Sequence, residues 1–140
     1  MNDKEKILKI YKLFSLILAI SFALVGMIFL FFTNNVIVSF NNISLKTGFI
    51  QSPNETSVFY VSLAVAYMYL VTLLAIMMYR QPKNKIFLLL LINGKMASSL
   101  LSLYFYITHP YLILLTNFIV DGSIAILLLI IYLKLRSKFL

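Results

Sequence analysis

The chain has 140 residues, of which 62% are hydrophobic and 11% are charged, and its formal net charge is +8. Soluble domains are roughly half apolar and about a quarter charged, so this chain has too little charge to cover a water-facing surface. The composition indicates an integral membrane protein. The absence of cysteine excludes disulfides, thiolate metal sites and cysteine-dependent redox enzymes.

Four apolar runs are long enough to cross a bilayer as helices, because about 20 helical residues span a hydrocarbon core of roughly 30 Å. The three prolines all fall between these runs, where a missing backbone N–H interrupts no helix. The sequence therefore predicts an all-α integral membrane protein. The chain is expected to form one domain over residues 1–140, a four-transmembrane-helix antiparallel bundle with spans at 13–32, 57–79, 86–107 and 111–133.

The basic residues predict the orientation of the chain. Ten of the twelve lie before the first span, between the second and third, or after the fourth. Lysine-rich and arginine-rich loops stay in the cytoplasm, so both termini and the turn at 80–85 are expected there, with the loop at 33–56 and the turn at 108–110 outside. This placement favours membrane orientation over nucleic-acid binding, and no nucleic-acid partner is expected.

The first span is expected to remain as an anchor. It is preceded by lysines, as a signal peptide would be, but it ends without the small residues that signal peptidase requires. The bias toward Lys, Ile and Asn indicates an AT-rich genome and favours a bacterial cell inner membrane as the location.

The loop at 33–56 is the only sizeable segment outside the predicted spans. Val36, Phe40 and Ile43 have helical spacing, whereas Val36, Val38 and Phe40 alternate as in a strand. Periodicity alone does not separate a short interfacial helix from a small hairpin.

Small residues at four-residue spacing predict the faces through which the spans pack, because helices in a bilayer associate by close backbone approach and by polar contacts. The predicted interior positions are Ser15, Ala19 and Ala23 in the first span, Ser62 and Ala66 in the second, and Gly94, Ser98 and Ser102 in the third.

Lys95 and Asp121 are the two ionisable residues that interrupt apolar spans with a charge. A charge at that depth is costly in lipid, so both are expected to face the protein. At 1.5 Å per residue, Lys95 lies about 15 Å and Asp121 about 20 Å from the lysine-rich end of its span. The lysine stem can bridge this offset, and the two are predicted to pair. With neighbouring polar residues they form a candidate binding site, the polar seam, which comprises Lys95, Ser98, Ser99, Ser102, Asn117 and Asp121.

The seam has two interpretations. It can be structural, with the ion pair and its hydrogen bonds holding two helices in register. Alternatively, it can line a site for a polar or anionic headgroup or pass a proton. Tyr67 and Tyr69 lie near the middle of the second span and are further, weaker candidates for presenting hydroxyls to a ligand.

The motifs of common enzymes are missing from the sequence. It contains no glycine-rich phosphate loop and no catalytic Ser-His-Asp set, and its one histidine, His109, cannot form a histidine-rich metal site. We therefore expect no catalytic, cofactor-binding or metal-binding residues. The predicted function is that of a non-enzymatic subunit or assembly factor of a membrane complex, in contact with the bilayer and with other subunits or its own copies. The alternatives are a carrier or lipid-headgroup-binding protein that uses the Lys95 and Asp121 pair and, less favoured, a lipid-modifying enzyme.

Overall fold

A computed structural model describes residues 3–53 and 57–139, with side chains at 5–53 and 60–135. Within these ranges the chain is all-helical and contains no strand, only one isolated bridge between Ile50 and Tyr111. This confirms the predicted all-α class. The last residues of the predicted loop, 54–56, lie outside the described ranges. The helices are α1 (Asp3–Phe31), α2 (Thr33–Thr47), α3 (Ser57–Arg80), α4 (Ile86–Thr108) and α5 (Leu112–Phe139).

Four of these helices are long and apolar enough to cross a membrane, which confirms the number of predicted spans. The candidate spans are Glu5–Phe31, Tyr60–Arg80, Ile86–Thr108 and Leu112–Leu135. α1 begins about ten residues before the apolar run does, and α5 continues beyond its run. Lysine is a good helix former, so the lysine-rich segments extend these helices.

The segment after α1 folds as a helix, so the hairpin alternative is wrong. The helical path breaks at Phe32 and resumes at Thr33 as α2, which ends at Gly48 with a φ of +79°. Glycine adopts this left-handed conformation without steric cost, and its N–H caps the Ser44 carbonyl. The Asn41 side chain then exchanges two hydrogen bonds with the Ser52 backbone, at 3.1 and 2.9 Å, which holds the following segment against α2.

The long helices contact one another as the pairs α1 with α3, α3 with α4, and α4 with α5. In the first pair, the Lys12 ammonium lies 5.9 Å from the centre of the Tyr79 ring, near the start of α1 and the end of α3. Gly26 packs against Met68 further along the pair, so α1 and α3 run antiparallel. The contacts between α4 and α5 described below have the same antiparallel order.

The predicted small-residue faces are correct for α1 and α4 and wrong for α3. Ser15 and Ala19 are buried in α1, and Ala23 is half-buried. Ser62 and Ala66 are exposed, whereas the buried side of α3 consists of Val71, Ala75 and Met78. The buried residues of α3 lie in its half nearer Arg80, where Ala75 is the small buried residue, and not at the two predicted positions.

Candidate functional site: the polar seam between α4 and α5

The Lys95 ammonium donates a hydrogen bond of 2.7 Å to Asp121 Oδ1. The two side chains are only 1% and 2% exposed, so the predicted pairing is confirmed. Their depths match because α4 and α5 are antiparallel neighbours joined by a short turn, and both residues fall on the facing sides of these helices. Breaking such a buried ion pair leaves an uncompensated charge, which is costly in the interior of a protein.

Two aromatic rings complete the surroundings of the Lys95 ammonium. Its nitrogen lies 4.6 Å from the centre of the Phe22 ring and 5.1 Å from the centre of the Tyr67 ring. Both distances are in the range of cation–π attraction, in which the negative face of a ring stabilises a cation. Lys95 of α4 therefore contacts α1, α3 and α5 at once.

This aromatic contact was only partly accessible from the sequence. Tyr67 was a candidate for presenting its hydroxyl to a ligand, but in the structure its ring contacts the cation. Phe22 was not predicted at all. It is one of 12 phenylalanines in the chain, and no spacing distinguishes it from the others. Only its depth in the first span, similar to that of Lys95 in the third, was a usable signal.

Asn117 organises the rest of the seam. Its Nδ2 donates to Ser102 Oγ at 2.7 Å and lies 3.2 Å from Ser98 Oγ. Ser99 Oγ donates to the Phe118 backbone carbonyl at 3.0 Å. The structure thus brings all six predicted seam residues into the interface between α4 and α5. The expectation that the Gly94, Ser98 and Ser102 face lies against other helices is confirmed, since Gly94 faces Tyr67.

Two buried polar atoms beside Lys95 have no hydrogen-bond partner among the described residues. These are Asp121 Oδ2 and the Tyr67 hydroxyl. The hydroxyl lies near Ser98, but the two groups are not in hydrogen-bonding geometry. A buried polar atom without a partner is uncommon and costly. The carboxylate oxygen can accept a hydrogen bond, and the hydroxyl can donate one, that the described residues do not supply.

The Lys95 and Asp121 side chains at the centre of the seam are buried. No group of three metal-ligating side chains occurs in the part of the chain that the structure describes. A shallow cleft of about 330 Å³ is formed by the end of α1 and by α2. None of the seam residues lines it, and its walls are mostly apolar, comprising Ile28, Phe32, Asn35, Val36, Ser39 and Phe40.

Comparison of the chain with protein-family models, with curated proteins and with solved structures finds no match.

Proposed function

We propose that this chain is a non-enzymatic subunit or assembly factor of a membrane-protein complex. In this proposal the four apolar helices form a bundle in a bacterial cell inner membrane, with both termini in the cytoplasm. The polar seam then acts as an internal clamp that keeps the helices in one arrangement. The surface left for function is the outer surface of the bundle, where a partner can bind.

The enclosure of the Lys95 and Asp121 pair carries this proposal. The ammonium is contacted by a carboxylate from α5 and by rings from α1 and α3, at 2.7, 4.6 and 5.1 Å. A transport or catalytic site needs access for its substrate, and membrane sites of that kind face water-filled cavities. Here the charged groups of Lys95 and Asp121 are in contact with groups of the same chain, which supports a structural role.

Purification in mild detergent tests the proposal. We expect a second membrane protein to co-purify in a fixed ratio with the chain, as identified by mass spectrometry. The double variant Lys95→Met with Asp121→Leu should retain this partner, since apolar residues can replace a buried ion pair without loss of the fold. Absence of any protein in a fixed ratio would overturn the proposal.

A second candidate function is a carrier or lipid-headgroup-binding protein. The specific observation in its favour is that Asp121 Oδ2 and the Tyr67 hydroxyl are both buried beside Lys95 without partners among the described residues. A small polar ligand or a transferred proton would use these atoms. This function predicts that a headgroup or another small polar molecule is retained on purification and is lost in Tyr67→Phe, which keeps the ring and removes only the hydroxyl.

A further inference from the structure

Asn93 is a polar residue that faces away from the protein. It precedes Lys95 by two positions in α4, so it points about 200° around the helix from the buried ammonium. Its side chain is exposed, and so are those of its apolar neighbours on this side, Leu89, Leu90 and Met96. It follows the first residue of α4 by about 10 Å along the axis, which places it inside the span.

The Asn93 amide has hydrogen-bonding capacity that its own helix does not use. An amide has two N–H donors and an oxygen that accepts two bonds. One N–H donates to the Leu89 carbonyl at 3.0 Å, and the described residues provide no partner for the amide oxygen. Ser123 and Thr72 differ, because each hydroxyl has a single O–H and donates it to a carbonyl one turn earlier in its own helix, whereas the Asn93 amide keeps a second N–H.

A lipid environment cannot supply the missing partner. Hydrocarbon contains no water to bond an exposed amide, and amides within spans bond across to other helices. Since the four long helices of this chain leave Asn93 exposed, the partner must come from another molecule. Ala97 lies one turn further along the same side and is also exposed, and a small residue allows the backbones to approach closely.

We propose that the α4 surface around Asn93 and Ala97 binds a second copy of this chain, with the two Asn93 amides paired. All copies of a chain enter the membrane in one orientation. A two-fold axis along the membrane normal therefore places each residue at the same depth as the identical residue of the other copy. Asn93 then meets Asn93, and the two amides are self-complementary because each donates an N–H to the oxygen of the other.

The second copy is favoured over a different protein by this depth argument. A different protein would need a polar side chain at the depth of Asn93, whereas a second copy of this chain places its own Asn93 at that depth by symmetry. The inference deepens the proposed function, since it names one partner of the subunit. It fails independently, because a chain that binds a different protein without self-association would retain the proposed function and contradict the dimer.

Cysteine crosslinking tests the dimer in the full chain, since the natural sequence has no cysteine. Ala97→Cys in membranes treated with a mild oxidant should give a disulfide-linked dimer. Ser123→Cys is the matched control, because Ser123 is exposed on α5 and should stay monomeric. A crosslink from position 97 to a different protein, or no crosslink at all, would contradict the proposal.

Energy transfer between labelled copies in vesicles tests the role of the amide. Interhelical hydrogen bonds in membranes contribute modestly, so Asn93→Leu should raise the dimer dissociation constant about tenfold. Asn93→Gln retains an amide and should keep part of the association. Self-association of Asn93→Leu as tight as that of the natural chain would show that Asn93 does not hold the dimer.

Discussion

Gly122 of α5 lies directly against Ser99 of α4, so that a methyl group added at position 122 would come within 2.9 Å of the Ser99 hydroxyl oxygen. That hydroxyl donates to the Phe118 carbonyl at 3.0 Å, one turn before Gly122. The absence of a side chain at 122 therefore lets the two helices approach closely enough for a hydrogen bond between them.

Gly122→Ala is expected to displace the Ser99 hydroxyl and break this bond. Overpacking of this kind costs roughly 1–3 kcal/mol, which should appear as a lower midpoint of thermal unfolding in detergent. The double variant Gly122→Ala with Ser99→Ala should recover much of the loss, because the Ser99 Cβ is 3.8 Å from the added methyl position. Additive losses in the double variant would contradict the contact.

Single replacements in the ion pair are expected to be much more harmful than the double replacement. Lys95→Met or Asp121→Leu leaves a buried charge without its partner, at a cost of about 3–5 kcal/mol, whereas replacing both can be nearly neutral. Folded yield and unfolding midpoint measure the difference. Should both single variants be as stable as the parent, the pair does not hold the helices together.

The faces of the Phe22 and Tyr67 rings are expected to stabilise the positive charge of the Lys95 ammonium. Tyr67→Leu removes a ring 5.1 Å from the ammonium and should cost about 1–2 kcal/mol, whereas Tyr67→Phe should cost little because it retains the ring. Repeating Tyr67→Leu in the Lys95→Met with Asp121→Leu background separates cation–π attraction from packing. If the loss is unchanged in that background, the ring acts by packing alone.

Ser98 is expected to tolerate a large residue less well than a lipid-facing neighbour does. It lies within 3.2 Å of the Asn117 amide nitrogen, so Ser98→Leu should force α4 and α5 apart and cost roughly 1–3 kcal/mol. Leu101→Phe is the control, because Leu101 is 57% exposed. Thermal unfolding in detergent should show a clear decrease only for Ser98→Leu, and equal midpoints for both variants would contradict the interface.

Both chain termini are expected to be cytoplasmic, since ten of the twelve basic residues flank the corresponding ends of the spans, and such residues stay in the cytoplasm. A reporter active only in the cytoplasm should give a signal when fused after Leu140 and none when inserted after Gln51. The reverse pattern of signals would invert the orientation.

The sequence by itself determined where the apolar helices lie along the chain and how deep each residue lies within its span. Hydropathy located four apolar helices, and the constant rise of a helix gave the depths of Lys95 and Asp121. A short turn between α4 and α5 made them neighbours. Because the sequence indicated both the depth of the two residues and the adjacency of their helices, it predicted the ion pair and its serine and asparagine neighbours.

Only the tertiary structure decided which side of each helix faces which neighbour. The hydrophobic pattern is weak in spans that are apolar all round, so it did not show that α3 turns Ser62 outward or that Phe22 and Tyr67 reach Lys95. The helical form of 33–47 was likewise open, because its apolar residues fit both periods. Such choices depend on contacts between segments distant in sequence, and the ammonium of Lys95, which contacts three other helices, is where these contacts converge.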